Sequence, residues 1–174
     1  MSGTGASERS QIIITILKTT IFLVVFWSVF LFAIPIGISI VEIELGIQRF
    51  LNGDATLWKS NVSQESDGTI MGAWGDYEKS WAELEPRYDW AAARFEESGA
   101  QVQFQYLSSG VSGELAFTVA IERSTVRLVG QREPAAMSLR VTHLFRKEQG
   151  EWKLLHRHAD PLMSKTAPAA VLRD

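Results

Sequence analysis

The side chains most ready to do chemistry near neutral pH are three histidines, gathered late in the chain at His143, His156 and His158. Two of them lie in Trp152-Lys153-Leu154-Leu155-His156-Arg157-His158-Ala159-Asp160. Strand side chains alternate between faces, so the spacing predicts one face of Trp152, Leu154, His156, His158 and Asp160, with Lys153, Leu155 and Arg157 opposite. Such a face reads as a pocket wall that turns polar at one end. An imidazole in an apolar pocket suits general acid–base work, with His156 or His158 moving the proton and Asp160 or Glu122 orienting the ring. The same histidines suit plain hydrogen bonding, either shaping a ligand pocket or holding a hairpin. Three imidazoles across a hairpin are also a metal-binding pattern. No carboxylate aligns as a further ligand, so neither a metal nor another cofactor is expected.

Other candidates surround this strand. Trp74, Tyr77 and Trp81 form an aromatic cluster that is either core or the lining of a ligand pocket, and His143 lies on the strand just before the one that carries the other two histidines. Glu122 shares a strand face with Ala116, Thr118 and Ala120, whose small side chains leave room for a ligand or a partner sheet. Arg123 and Arg140 have the fork to grip a ligand carboxylate, although Arg140 alternates away from His143. No phosphate loop, nucleophile elbow or paired-carboxylate motif occurs. The absence of cysteine excludes disulfides, thiolate nucleophiles and Cys-ligated zinc. A formal net charge of −3 gives no electrostatic reason to expect nucleic acid.

The elements that must position these residues follow from periodicity. Ile40, Ile43, Ile47, Phe50 and Leu51 recur at helical spacing over 38–51, and Asn52-Gly53-Asp54 stops the helix. A short helix is predicted from Ala55 to Val62, a brief strand at Thr69-Ile70-Met71, and a long helix from Tyr77 to Glu97, kinked or interrupted at Pro86. The period then changes to two: Val102–Leu107, Glu114–Glu122, Thr125–Val129, Ser138–Lys147 and Trp152–His158 read as strands, with glycine-containing turns between most of them. Helices followed by a run of strands predict an α+β domain, with the helices packed on one face of a curved antiparallel sheet.

The N-terminus differs in kind. Thr19 to Val41 is 23 residues without a charge, long enough to cross a bilayer core of about 30 Å as a helix. It is predicted to be a single-pass membrane anchor, with a signal sequence and a buried core helix as alternatives. Lys18 abuts the run and favours a cytoplasmic N-terminus, hence an extracytoplasmic globular domain; a soluble cytoplasmic protein is the alternative. The expected division is a disordered 1–15, an apolar anchor at 16–37, a globular domain at 38–164 and a tail at 165–174.

The order of elements, Gly53-Asp54, Met71-Gly72-Ala73-Trp74-Gly75, and above all the stretches from Leu139 to Arg146 and from Gly150 to Asp160, resemble the nuclear transport factor 2-like superfamily. This superfamily includes SnoaL-like cyclases, ketosteroid isomerases and kinase association domains. The resemblance covers roughly Ile40 to Met163. It implies a cone, the sheet wrapped around a pocket and closed by helices, in a protein that is often a homodimer. His143, His156 and His158 would then look into the cone, with Trp74, Tyr77 and Trp81 near its mouth. Asp67 and Asp76 match no isomerase-like general base, and no Asp-Arg-Asp arrangement of an epoxide hydrolase can be assigned. Three functions follow: a pocket for an apolar or carboxylated small molecule, an isomerase, cyclase or dehydratase using a pocket histidine, or a non-catalytic homodimeric association module.

Overall fold

The computed structural model describes residues 40–165 and residue 167. Residues 40–50 are helical (α1), followed by α2 at Thr56–Ser60, β1 at Thr69–Met71 and β2 at Tyr77–Lys79. Helix α3 spans Trp81–Ala92, and β3 (Val102–Ser112), β4 (Leu115–Val126), β5 (Ala135–Glu148) and β6 (Glu151–Pro161) complete the domain. The apolar run predicted as an anchor lies, except for its last two residues, outside the described residues. Among the described residues no helix is long and apolar enough to cross a membrane.

The α+β class is as predicted, but the sheet is mixed rather than antiparallel. Its order is β2-β1-β6-β5-β4-β3, and β1 runs parallel to β6, with Thr69 opposite His156 and Met71 opposite His158. Local turns impose antiparallel pairing only on neighbours in sequence; β1 reaches β6 across the length of the domain and is free of that constraint. The long helix is shorter than predicted. Tyr77–Lys79 pairs with β1 instead, and Ser80, at φ 74°, breaks the chain between β2 and α3.

The helices bury one stripe each against the inner face of the sheet. Leu84, Tyr88 and Ala92 are buried at four-residue spacing on α3, and Ile43 and Ile47 on α1. Phe50, Trp58 and Tyr88 meet edge to face at centroid separations of 5.9–6.4 Å. Close approach of α1 and α2 depends on Gly46, where a Cβ would lie 3.2 Å from the Trp58 Cα.

The inner face of the sheet follows period two until β6. Leu139, Val141, His143 and Phe145 on β5 are buried, as are Ala116, Thr118, Ala120 and Glu122 on β4. On β6, Trp152 and Leu154 are buried, and then Arg157 and Ala159. The pairing explains the change of parity: Phe145 stands opposite Leu154 and Leu144 opposite His156, so Leu155 is an extra residue without a partner. This one-residue bulge turns every later side chain to the other face. The face predicted from simple alternation therefore holds only as far as Leu154.

Candidate functional site

A largely apolar cavity lies between the helices and the inner face of the sheet. Trp58, Tyr88, Glu122 and Arg157 form its deep end, Phe50, Phe95, Met137 and Leu139 its walls. Trp74, Arg87 and Ala91 stand toward solvent, with Trp74 45% exposed. The free space is about 90 Å³. One water needs about 10–15 Å³ of such space, so the cavity takes roughly six to nine non-hydrogen atoms.

The bulge at Leu155 builds the deep end, because it turns Arg157 inward. Arg157 Nη1 and Nη2 donate to Glu122 Oε1 and Oε2 at 2.9 and 2.7 Å, a two-pronged ion pair with both side chains under a tenth exposed. Arg157 Nη1 also meets His143 Nε2. Guanidinium has only donors, so that ring nitrogen must be the acceptor and the imidazole proton must sit on Nδ1. Burial, and then the positive charge of Arg157, hold the His143 pKa well below the usual imidazole value. His143 is therefore a neutral base wedged against Trp58 and Phe145, at centroid separations of 6.1 and 5.8 Å. The Arg157 guanidinium lies 5.5 Å from the centre of the Trp58 ring. Burial pushes the Tyr88 phenol up, so it stays a neutral hydroxyl.

This cluster can offer a ligand one strong acceptor. Each Glu122 oxygen receives one bond from Arg157 and has a lone pair left. Three of the five Arg157 N–H groups are committed to Glu122 and His143, and its charge is balanced by the Glu122 carboxylate. The deep end is thus close to neutral in charge and rich in acceptor capacity, suited to a ligand hydroxyl or N–H rather than to a ligand anion.

The predicted site residues separate into groups. Trp74 and Glu122 line the cavity, and His143 lies directly behind it as the support of Arg157. Tyr77 is on the edge strand β2 and 66% exposed, and Trp81 opens α3; neither lines the cavity. The expectation that His156, His158 and Asp160 face into the cone is corrected by the bulge. His156 Nδ1 and Thr69 Oγ1 share a hydrogen bond of 2.8 Å, and partial burial, then His158, lower the His156 pKa. His158 is exposed, and Asp160 pairs with Arg140 on the outer face. Arg123 is likewise on the outer face, where Nη1 donates to Gln105 Oε1 at 2.9 Å. Among the described residues no group of three or more His, Asp or Glu side chains is arranged to hold a metal. Arg157, Trp58 and Tyr88 were not singled out by the sequence as site residues. The one available signal for Arg157 was Glu122 itself, a carboxylate on a face of small buried residues that needs a cation.

The SnoaL-like domain family matches residues 52–164. No curated protein matches the chain. Several solved structures share the fold. A Streptomyces avermitilis protein, provisionally described as a dehydratase of the NTF2-like family, is 18% identical with a TM-score of 0.60, covering 75% of this chain and 95% of its own. An NTF2-like superfamily protein from Salmonella enterica is 16% identical, with a TM-score of 0.62 and coverage of 76% and 96%. A Thiobacillus denitrificans protein, provisionally described as a calcium/calmodulin-dependent protein kinase type II association domain, is 10% identical, with a TM-score of 0.54 and coverage of 72% and 93%. At these identities the likeness concerns the fold, which hosts unrelated activities. With a match over this much of its length, the chain belongs to the SnoaL-like domain family, and its fold is the one these NTF2-like proteins share.

Proposed function

We propose that this domain binds a small, mostly apolar molecule of about one ring in its inner cavity, with a hydroxyl or N–H of that molecule donated to Glu122. The observation that carries this reading is the buried Arg157–Glu122 pair at the end of an otherwise apolar cavity. Removing two charges from water is expensive, and a well-packed apolar pair would serve stability as well or better. A buried pair whose carboxylate keeps unused acceptor capacity toward empty space fits recognition of a donor.

A catalytic reading through His156 or His158 loses its geometric support, since both side chains sit outside the cavity. His143 has its basic nitrogen engaged by Arg157. Binding without turnover is the reading the geometry favours.

Native mass spectrometry of the full chain, purified gently from its own host, tests the proposal. The expected result is a reproducible bound small molecule that disappears in an Ala91→Trp variant, which fills the cavity from a partly exposed helix position and leaves the melting temperature within a few degrees. A chain that carries no ligand and binds no single-ring hydroxylated compound would overturn it, and a ligand-free homodimer would favour the association module instead.

A further inference from the structure

The solvent end of the cavity has a chemistry of its own. Trp90 is 41% exposed on α3, yet two guanidinium groups flank its ring, Arg87 at 4.4 Å and Arg94 at 4.1 Å from the centroid. The positions 87, 90 and 94 are spaced at three and four residues, so the helix and the turn beyond it bring them to one side. Trp90 meets Trp74 edge to face at 5.7 Å, and Trp74 stacks on Phe95 at 5.4 Å with an interplanar angle of 24°. Trp74, Phe95 and Arg87 all line the cavity. The aromatic and cationic collar is therefore continuous with the cavity mouth.

Its charge is not balanced. Arg87 Nε pairs with Glu78 Oε1 at 3.1 Å, while Arg94 has no carboxylate partner among the described residues. Of the carboxylates near it in sequence, Asp89 and Glu85 pair with Lys59 and Glu96 with Arg127, while Glu97 makes no ion pair with Arg94. A guanidinium over an indole face is held in place by the ring while keeping N–H groups for a carboxylate. The deep end offers the opposite: Arg157 is neutralised and Glu122 is an acceptor.

We propose, resting on the cavity reading above, that the ligand is a hydroxylated single-ring carboxylate: its hydroxyl donates to Glu122, its ring fills the apolar cavity, and its carboxylate is held at the mouth by Arg94 and Arg87. The two ends select opposite polarities, so the ligand enters in one orientation. The mouth is open to solvent, so the preference for the anion weakens as salt screens it.

The test uses the full chain and two probes, 4-hydroxyphenylacetate and its neutral amide, followed by tryptophan fluorescence and calorimetry. The acid is expected to bind about tenfold more tightly than the amide, the size of one charge-assisted contact at a partly exposed site. In Arg94→Gln the gap should close by loss of affinity for the acid alone, and in Ala91→Trp both probes should be lost. Equal affinities for acid and amide in the unaltered chain overturn the collar and leave the cavity reading standing. Acid binding that survives Ala91→Trp overturns the two-ended ligand, since the collar would then act without the cavity. If neither probe binds while the chain purified from its host carries a single-ring molecule, the hydroxy-carboxylate class is overturned and the cavity reading stands; if neither binds and that chain is empty, both are overturned.

Discussion

Two arginine–carboxylate pairs stand on opposite faces of the same sheet and have different consequences. On the inner face Arg157 grips Glu122 with both side chains under a tenth exposed. On the outer face Arg140 grips Asp160 through Nε and Nη2, with side-chain exposures of 57% and 37%. The forks are alike, and the solvent decides their worth. Water and salt screen the outer pair to about 0–1 kcal/mol. The inner pair has already lost its hydration, so losing either partner strands a bare charge.

Removing one buried partner has the largest expected effect. Arg157→Met leaves Glu122 without its cation and is expected to cost about 3–5 kcal/mol, read as a lower midpoint in urea unfolding. The double variant Arg157→Met/Glu122→Leu should recover most of that stability, because no charge is stranded. It should also lose affinity for a hydroxylated ligand, which separates the pair's role in recognition from its role in holding the fold. A double variant as unstable as the single one would mean that shape, not charge, is what the site requires.

The next effect is in pH. His143 is neutral in the fold because burial and Arg157 depress its pKa, whereas in the unfolded chain it titrates near its ordinary value of 6.5. Below that pH the unfolded state binds a proton that the native state refuses, so stability falls as pH falls, at up to about 1.4 kcal/mol per pH unit. His143→Phe is expected to flatten the stability profile between about pH 6.5 and 5 relative to the unaltered chain. An unchanged slope in that window would show that another group carries the acid sensitivity. The smallest effect belongs to the outer pair: Arg140→Ala should shift stability by no more than about 1 kcal/mol, and less at high salt. A larger loss would point to an outer face that is covered in solution.

What the sequence disclosed tracks the range of the interactions involved. Period-two runs and glycine turns predicted where the long strands lie, although β4 runs unbroken from Leu115 to Val126 where two strands were expected, and the small residues around Glu122 marked an inward-facing carboxylate. Local spacing could not disclose the bulge. Leu155 is apolar, as its neighbours in the core are, so Trp152, Leu154 and His156 read as an unbroken alternation, and the two parities differ only in the tertiary pairing with β5. The same limit hid Arg157 and misplaced His156 and His158. Tyr77–Lys79 was absorbed into the following helix because the spacing from Tyr77 to Trp81 is itself helical; the break at Ser80 is a backbone conformation that its residue type does not announce. The parallel match of β1 to β6 joins positions as far apart as Thr69 and His156, and no periodicity reports that.

The shortness of β1 and β2 has a kinetic consequence. Gly72, Ala73 and Trp74 close one side of the cavity, and they hang between two strands of three residues each at the edge of the sheet. The cost of local opening is lowest where few backbone hydrogen bonds must break, so this flap frays long before the long strands β3 to β6 separate. Arrival and departure of a bound molecule are then timed by fraying at the sheet edge, and residence time becomes a property of six hydrogen-bonding residues rather than of the whole fold.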